Sequence, residues 1–399
     1  MTIFVDPAIR PGHPHDRIAA GISDFIAIRH DFHRHPELAF KEERTSKRIA
    51  ELLTEWGFTV TTGIAGTGVV ATLRVGNGHR SLGLRADFDA LPILETTGLD
   101  FASETPGSMH ACGHDGHTAI LLAAAKDLAR TRNFNGTINL FFQPAEEIGA
   151  GAQKMLGEGL LERFPVDAIF GLHNWPGVPA GQFGFVEGPA MASVDQIHVT
   201  VRGKGGHGAA PHETVDPVVA AAHAITAIQS VVSRNVDPLE MAVVTVGSIH
   251  GGHASNVIPD TVELKLTLRS YKPAVRDQLK DRLPALIAGV VEGLGASAEI
   301  DYRRGFPSVV NHARETRFAR SVAVDLFGEE RVEQNFRPRT ASEDFAYYLE
   351  QVPGSFLFVG TGDGAPLHSP NYRFNDDIIA DTAAFWVGLT ERFLNGEPQ

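Results

Sequence analysis

Residues 117–147 read HTAILLAAAKDLARTRNFNGTINLFFQPAEE, an alanine-rich apolar run followed by an aliphatic and aromatic run that ends in two glutamates. The first run is long enough for a helix over residues 117–128, and the second, shorter run predicts a strand over residues 137–142. Similar short runs predict strands over residues 81–85 and 168–172. Strands that alternate with helices in this way predict an α/β fold with a mixed, mostly parallel sheet flanked by helices.

Polar side chains follow several of the predicted strands at the point where each strand ends. In chain order these side chains are Asp87, Glu146, Glu147, His173 and His368. The carboxyl ends of parallel strands meet at one edge of a sheet, where such folds bind their ligands. We therefore expect these sequence-distant groups to lie around one site.

The stretch MHACGHDGH, residues 109–117, contains the only cysteine of the chain, Cys112, and three of its eighteen histidines, among them His114. A single cysteine has no intramolecular disulfide partner, so it is typical of a metal ligand or a nucleophile. The alternative is a glycine-rich loop with solvated histidines. Further ligands are needed elsewhere in the chain to favour the metal site.

A thiolate, three imidazoles and a carboxylate form a donor set that suits Zn²⁺ or a related late first-row ion better than Ca²⁺ or Mg²⁺. These donors are Cys112, His114, Glu147, His173 and His368. Five ligands are too many for one tetrahedral catalytic zinc, but they suit two ions that share a bridging ligand. Taken singly, each of these residues is as typical of a protein core or surface, so the hypothesis depends on the whole set.

The middle of the chain has a different pattern of predicted elements. Residues 196–303 predict the element order β-α-β-β-α-β. That split βαβ arrangement is compact enough to be inserted between two halves of another domain. We therefore predict a catalytic domain formed by residues 1–189 and 305–399, and a lid or dimerisation domain formed by residues 190–304. In the last part, Thr340 and Glu343 have the spacing of a capping box, which predicts the start of a helix.

Composition excludes some partners and compartments. The net charge of −13 over 399 residues disfavours nucleic acid and anionic membranes as partners. The first residues lack the pattern of a signal peptide, and no apolar run is long enough to span a bilayer. One cysteine in a chain of this length favours a reducing compartment, so we expect a cytoplasmic protein.

A series of motifs resembles the M20 metallopeptidase family, in particular its amidohydrolase branch of hippurate hydrolases, N-acyl-amino-acid deacylases and auxin-conjugate hydrolases. The motifs are RADFDALP, PGSMHACGHDGHTA, NLFFQPAEE, GLHN, GKGGHGAAPH, NVIPD, SEDFAYY and LHSPNYRFND. With RHDFHRHPELAFKEE near residue 29, the resemblance covers nearly the whole chain. The order and spacing of the motifs make it specific.

The resemblance implies a site with two divalent ions, Mn²⁺, Zn²⁺, Co²⁺ or Ni²⁺. Cys112 would bridge the two ions. Glu147 and His368 would complete the ligands of one ion, and His114 and His173 those of the other.

The resemblance also implies roles for two acidic residues around these ligands. Glu146 would be the general base, and Asp87 would orient a ligand by a hydrogen bond. Most branches of the family have a histidine ligand where this chain has Arg85, and His114 is implied to replace it.

Three residues of the predicted lid match family positions that contact the substrate. His207 would reach across a dimer and stabilise the oxyanion in the partner's active site. Asn256 and Arg269 would bind the free carboxylate of the substrate. We therefore expect a homodimer or a dimer of dimers.

The function implied by the resemblance is metal-dependent hydrolysis of the amide bond of N-acyl amino acids, with hippurate-like or N-acetylated substrates. The alternatives are a dipeptidase or carboxypeptidase of the same family and a non-catalytic protein that binds a small molecule. A further possibility from the residues alone is nucleophilic catalysis by Cys112.

Overall fold

The structure is a computed structural model that describes residues 12–396. The described chain forms two compact units. The first unit consists of residues 12–188, 310–337 and 347–396, and the second consists of residues 189–309 and 338–346.

The elements before residue 188 belong to the first unit. The helices are α1 (Pro14–Ala19), α2 (Ile22–Arg34), α3 (Glu43–Glu55), α4 (His114–Thr131), α5 (Gly151–Gly157) and α6 (Leu160–Arg163). The strands are β1 (Thr59–Ile64), β2 (Gly68–Val75), β3 (Ser81–Asp87), β4 (Gly136–Gln143), β5 (Ala168–Pro176) and β6 (Phe183–Gly184).

The elements that follow are mainly those of the second unit. The strands are β7 (Gly188–Met191), β8 (Ser193–Arg202), β9 (Gly206–His207), β10 (Ala242–His250), β11 (Val257–Ile258), β12 (Thr261–Ser270), β13 (Ser297–Arg304) and β14 (Val309–Asn311). The helices are α7 (Pro217–Arg234) and α8 (Pro273–Gly293).

The last elements complete the first unit, apart from one residue of α10. They are α9 (Ala313–Phe327), β15 (Val332–Glu333), α10 (Ala346–Leu349), β16 (Gly354–Gly362) and α11 (Ile379–Leu394). No helix among residues 12–396 is long and apolar enough to cross a membrane.

The first unit is built on an eight-stranded sheet with the strand order β1-β2-β4-β3-β5-β16-β6-β15. The strand β3 is parallel to β4 and to β5, β5 is parallel to β16, and β6 is parallel to β15. The pairs β1–β2, β2–β4 and β16–β6 are antiparallel. The predicted α/β class with a mixed, mostly parallel sheet is therefore confirmed.

Small side chains allow α4 to pack closely inside the first unit. Ala123, Ala124 and Ala125 are buried, and so are most of the remaining residues of the helix. The helix packs against α2 and against α11, which is itself buried over most of its length. Because the core around α4 is densely packed, truncating Leu128 to alanine would cost about 2–5 kcal/mol of stability. The first turn of this helix therefore has a rigid support.

The parallel register aligns the ends of the central strands. Asp87 of β3 lies beside Gln143 of β4, and His173 of β5 lies beside Phe358 of β16. One expectation needs correction, because Asp87 is the last residue of its strand and His173 lies inside β5 rather than beyond its end. The strands are longer than the apolar runs predict, since polar residues at the sheet edge continue the hydrogen-bonded ladder.

The second unit has a four-stranded antiparallel sheet with the order β10-β12-β8-β13. Its elements follow the chain as β8-α7-β10-β12-α8-β13, interrupted by the short ribbon of β9 and β11. Alternate residues of β8, such as Ile197, Val199 and Val201, are buried in its core. Asp216 begins α7 by accepting hydrogen bonds from the backbone N–H groups of Val218 and Val219.

The helix predicted at Thr340 is not formed. Residues 340–343 are irregular, and the four-residue α10 begins only at Ala346. The carboxylate of Glu343 accepts a hydrogen bond from the backbone N–H of Phe345, and the hydroxyl of Ser342 accepts one from Arg269. Glu343 therefore makes a local hydrogen bond in the turn before α10, and its neighbour Ser342 makes a tertiary one.

Candidate metal centre

A glycine turn at the start of α4 separates two of the predicted ligands, Cys112 and His114. Gly113 has a φ of 90°, which L side chains rarely adopt. A Cβ atom at this position would lie 2.3 Å from the amide oxygen of Asn174. Glycine is therefore required here both for the backbone conformation and for the close approach of β5.

Cys112, His114 and His173 form one group of possible metal ligands, with one atom of each lying within 4.8 Å of the others. The Sγ atom of Cys112 is 3.3 Å from Nε2 of His173. The opposite ring nitrogen, Nδ1, donates a 2.7 Å hydrogen bond to the carbonyl oxygen of Asn174. Because Nδ1 carries the hydrogen, Nε2 of His173 presents a lone pair on the side of the thiol.

Cys112, Glu147 and His368 form a second group with the same proximity. Nε2 of His368 is 3.4 Å from Oε2 of Glu147. The backbone of His368 has a φ of 63°, and its N–H donates a 2.9 Å hydrogen bond to the carbonyl oxygen of Ala111. This hydrogen bond holds the loop after β16 next to the residue before Cys112. Cys112 itself belongs to both groups.

Two buried atoms of the centre have no hydrogen-bond partner among residues 12–396, Nε2 of His114 and Oε1 of Glu147. They lie 3.9 Å apart. The other ring nitrogen of His114 donates a 2.9 Å hydrogen bond to the carbonyl oxygen of Asp89, so Nε2 is the nitrogen that could bind an ion. A buried polar atom without a partner costs about 1–3 kcal/mol, and metal ions bound at these two atoms would satisfy both. The donor set of thiol, imidazole and carboxylate also fits a late first-row ion.

The charges around the ligands favour a cation in the centre. Burial alone would lower the pKa of His114, but the carboxylates of Asp87 and Asp89 outweigh it and raise this pKa to about 10. Burial raises the pKa of Glu147 to about 7, although His114 acts against it. Burial, together with Glu147 and Glu146, raises the pKa of the Cys112 thiol. Cys112, His114 and Glu147 therefore hold protons more tightly than usual, and a metal ion would displace them, whereas burial lowers the pKa of His173.

Glu146 and Glu147 direct both their carboxylates to the same centre. Oε2 of Glu146 is 4.0 Å from Nε2 of His114, and Oε1 of Glu147 is 3.9 Å from the same atom. Both carboxylates are almost fully buried, since each glutamate side chain in these pairs is 8% exposed. Glu147 also contacts His368 and shares a group with Cys112, whereas Glu146 belongs to neither of the two groups that contain Cys112.

Asp87 is held on both of its oxygens. Oδ2 accepts a 2.6 Å hydrogen bond from Arg85, and Oδ1 accepts a 2.6 Å hydrogen bond from Nδ1 of His117. Nε2 of His117 in turn accepts a hydrogen bond from the backbone N–H of Asn174. Asp87 is therefore hydrogen-bonded to His117, and both ring nitrogens of His117 have partners. The carboxylate of Asp87 lies 3.7 Å from Nε2 of His114.

Two of the predicted residues of the second unit lie together on the ribbon of β9 and β11. His207 is exposed and pairs across the ribbon with Val257. Its Nδ1 accepts a 3.0 Å hydrogen bond from the backbone N–H of Ala209, so Nε2 carries the hydrogen of the neutral ring. The carbonyl oxygen of Asn256 accepts a 2.8 Å hydrogen bond from the N–H of Gly208.

Arg269 lies near the far end of β12 from that ribbon. Burial lowers its pKa, and no carboxylate among residues 12–396 forms an ion pair with it. Eight residue steps along β12 separate it from Thr261, which at roughly 3.3 Å per residue is about 26 Å. Within one chain, the ribbon therefore connects to the end of β12 that lies opposite Arg269.

The sequence matches peptidase family M20/M25/M40 over residues 83–392, which is most of the chain. The chain belongs to this family. Hippurate hydrolase from Campylobacter jejuni is an M20 relative that is 42% identical over 371 residues, covering 93% of this chain and 97% of the relative. N-acetyl-L-cysteine deacetylase from Bacillus subtilis is 41% identical over 379 residues, covering 94% of this chain and 89% of the relative.

A solved structure extends the similarity to three dimensions. A dinuclear metal binding peptidase of the M20 family from Bacillus subtilis superposes with a TM-score of 0.82 and 35% identity. The alignment covers 94% of this chain and 99% of the other. The similarity therefore extends over most of both units.

Sequence reasoning did not single out two residues that hold this M20 site. The carboxylate of Asp89 accepts hydrogen bonds from the backbone N–H groups of Glu146 and Glu147, and that of Glu42 accepts one from Ala145. Asp89 stands two residues after Asp87 in RADFDALP. The two acidic residues at the end of that strand could therefore have indicated that Asp89 belongs to the site. Glu42 lies about 100 residues before its partner and has no such signal.

Proposed function

We propose that this M20 protein is a metal-dependent amidohydrolase that cleaves the amide bond of N-acyl amino acids. The observation that carries the proposal is the presence of two groups of donor atoms that share Cys112, beside a buried carboxylate that is not needed as a ligand. The relatives named hippurate hydrolase and N-acetyl-L-cysteine deacetylase support the class of substrate.

The five donors would hold two divalent ions, Mn²⁺, Zn²⁺, Co²⁺ or Ni²⁺. His114 and His173 would bind one ion, Glu147 and His368 the other, and the Cys112 thiolate would bind both. When bound, such ions polarise an amide carbonyl and lower the pKa of water. The unsatisfied atoms Nε2 of His114 and Oε1 of Glu147 support this assignment.

Glu146 would act as the general base. Its carboxylate would accept a proton from the attacking water and then donate it to the nitrogen of the leaving amino acid. The exclusion of bulk water around Glu146, whose side chain is 8% exposed, would keep that proton between the two reacting atoms. Asp87 would hold His117 by a hydrogen bond, and Arg85 would in turn hold Asp87.

We further propose that the second unit is a lid and dimerisation domain and that the protein forms a homodimer or a dimer of dimers. The ribbon that carries His207 and Asn256 leads into β12 at Thr261, about 26 Å along the strand from Arg269, so we propose that one N-acyl amino acid does not contact all three residues in a single chain. A second copy could supply His207 and Asn256. Nε2 of the partner's His207 would donate a hydrogen bond to the developing oxyanion.

Arg269 would bind the free carboxylate of the substrate. A guanidinium that is partly buried without an acidic partner favours an anionic ligand, and its planar shape fits a carboxylate with two parallel hydrogen bonds. Asn256 would complete the recognition from the partner chain. The requirement for this carboxylate would distinguish N-acyl amino acids from simple amides.

The surface around the centre supports an apolar acyl group. Ile148 follows Glu147 and is 61% exposed. Leu94 is 65% exposed, on a loop in which the N–H of Thr96 donates a hydrogen bond to the carbonyl oxygen of Pro370, two residues after His368. Large aliphatic side chains left exposed beside a polar site favour contact with an apolar part of the ligand.

The single cysteine favours a reducing compartment, so the cytoplasm remains the proposed location of the protein.

A panel of assays on the purified protein tests this function. Activity would be measured with and without a chelator and after addition of each of the four ions, on hippurate, N-acetyl amino acids and dipeptides. We expect chelation to abolish hydrolysis of the N-acyl amino acids and one or more of the ions to restore it. Faster cleavage of dipeptides would favour the peptidase alternative, and binding without turnover would favour a non-catalytic protein. Activity that survives chelation but not thiol alkylation would favour catalysis by Cys112.

A further inference from the structure

The turn that carries Glu146 and Glu147 has an unfavourable backbone conformation. Ala145 has a φ of 55°, which is uncommon for a residue with a side chain, and it is fully buried. The turn follows directly after β4 and precedes α5. A conformation of this kind persists only when surrounding contacts hold it.

Two buried carboxylates provide those contacts. Oδ1 of Asp89 accepts a 3.1 Å hydrogen bond from the N–H of Glu146, and Oδ2 accepts a 3.0 Å hydrogen bond from the N–H of Glu147. Oε1 of Glu42 accepts a 3.0 Å hydrogen bond from the N–H of Ala145. Three successive backbone donors are thus bound by two side chains that are at most 1% exposed.

Asp89 also connects this turn to a proposed ligand on α4. Nδ1 of His114 donates a hydrogen bond to the carbonyl oxygen of Asp89, and Oδ1 of the same residue lies 3.3 Å from that nitrogen. One residue therefore contacts the backbone of the proposed base, the backbone of one proposed ligand and the ring of another. A shift of Asp89 would move all three together.

We propose that Asp89 is a positioning residue that fixes Glu146 relative to the ligands, and that Glu42 is a second positioning residue that holds Ala145 in its left-handed conformation. The roles of Glu146 and Glu147 in this proposal rest on the proposed function, whereas the clamp on the turn does not. Neither carboxylate touches the substrate. Each acts through backbone hydrogen bonds to the turn.

The two clamps differ in a way that predicts different tolerance to amide substitution. Both oxygens of Asp89 accept hydrogen bonds from backbone N–H groups, which cannot reverse their role. In Asp89→Asn, the side-chain NH₂ would therefore face a backbone donor. The second oxygen of Glu42 accepts a 2.7 Å hydrogen bond from the hydroxyl of Thr67, which can rotate to accept instead. In Glu42→Gln, the hydrogen bonds to both Ala145 and Thr67 can therefore be kept.

Hydrogen exchange on the metal-free protein tests the clamp without reference to substrate or metal. We expect Asp89→Asn to speed the exchange of the amides in residues 145–147 by about 10- to 100-fold, because it leaves a buried donor unsatisfied. Glu42→Ala should also speed this exchange, whereas Glu42→Gln should keep it within about threefold of wild type. Asp100→Asn, which changes an exposed carboxylate elsewhere in the first unit, is the matched control.

Steady-state kinetics of the metal-loaded protein test the positioning role. We expect Asp89→Asn to lower kcat by about 10- to 100-fold with KM changed by less than about twofold, because the base is displaced while substrate binding is retained. Glu42→Gln should recover most of the kcat lost in Glu42→Ala. If Asp89→Asn does not fold, the Glu42 pair still tests the clamp.

Three results would overturn the proposal. They are wild-type exchange in Asp89→Asn, an equal loss of amide protection in Glu42→Gln and Glu42→Ala, and an unchanged kcat in Asp89→Asn. A wild-type protein that hydrolyses no N-acyl amino acid would instead refute the proposed function, while the exchange experiment would still decide whether the clamp exists.

Discussion

The proposed metal ligands and the proposed lid residues differ in how their polar atoms are satisfied. In the metal centre, Cys112, His114 and His173 are buried, and neighbouring backbone carbonyls fix the outward nitrogen of both rings, whereas the fifth proposed ligand, His368, has a side chain that is 54% exposed. On the ribbon of the second unit, His207 and Asn256 are exposed. The buried ligands are therefore preorganised around small ions, whereas the exposed ribbon residues are open to a second protein surface.

This difference explains the order in which the site would be completed. A small ion can enter a buried cluster whose orphaned atoms lie 3.9 Å apart, and it replaces protons there. The exposed ribbon needs a second protein surface and a substrate before its groups are desolvated and become effective. Variants in the two regions should therefore fail in different ways, the first by losing metal and the second by losing turnover at full metal content.

The largest effect is expected in the metal centre. Cys112→Ala should lose bound metal and lower kcat/KM by on the order of 10³-fold or more, because the proposed bridge between the ions is removed. Metal content by elemental analysis checks the first expectation. Since Cys112 is the only cysteine, alkylation of the wild-type protein provides a second measure, and metal loading should slow it. An unchanged metal content in Cys112→Ala would rule out its ligation.

A smaller effect is expected on the ribbon. His207→Ala should lower kcat by roughly 10²- to 10³-fold through loss of one oxyanion donor, with metal content unchanged. His250→Ala, which removes another exposed histidine of the second unit, is the matched control and should stay within about twofold of wild type.

Co-expression of His207→Ala with Glu146→Gln sharpens the same comparison. If the ribbon serves the partner's centre, hybrid dimers contain one site with both groups intact. Random pairing makes half of the dimers hybrids, so about a quarter of the wild-type activity should return. Mixing that restores nothing would place His207 and Glu146 in the same chain's site or remove His207 from catalysis.

The effect expected at Arg269 is smaller than that expected at His207. Arg269→Ala should lower kcat/KM by about 10- to 100-fold, because a hydrogen bond to a charged group contributes about 1.5–3 kcal/mol. The loss should disappear for an N-acyl amino acid amide, which lacks the carboxylate. Arg202→Ala on β8, where the arginine is exposed and paired with Glu299, is the control. An equal loss on acid and amide would argue against carboxylate recognition.

The smallest effect concerns stability beside the centre. Burial alone would lower the pKa of His33, but hydrogen bonds to Asp115 and Glu95 raise it from 6.5 to about 9. Because the folded-state pKa is the higher one, this stabilisation is complete below pH 6.5 and is lost as the pH rises through about 9.

Urea unfolding of the metal-free protein measures that contribution. His33→Gln should lower the free energy of unfolding by up to about 3 kcal/mol at pH 6 and by much less at pH 10. His79→Gln, at an exposed position, should show no such dependence. A loss in His33→Gln that is independent of pH would assign the effect to packing alone.

The sequence pattern predicted the sheet and the gathering of donors because both follow from simple geometry. Apolar runs that alternate with helices make parallel strands, and the ends of such strands meet at one edge, which is how Glu147 and His173 could be expected near Cys112. The pattern did not predict β1 at the edge of the sheet, since its residues are mostly exposed and carry little apolar periodicity.

Long-range contacts account for the other differences. The conformation of Ala145 depends on Glu42, about 100 residues away, and no local signal connects them. The segment of residues 338–346 belongs to the second unit although the rest of the last part forms the first. In that segment Ser342 accepts a hydrogen bond from Arg269 of β12, and residues 340–343 are irregular instead of helical. A tertiary contact of this kind has no signal in the local pattern.

The most direct test of the proposed mechanism is the variant Glu146→Gln. Its amide keeps the shape of the side chain but cannot accept a proton from water, and the ligands of both ions are unchanged. We predict that this variant binds two metal ions per chain, as the wild type should, and loses kcat by at least about 10²-fold on hippurate or an N-acetyl amino acid. Full activity at full metal content would contradict the assignment of Glu146 as the base.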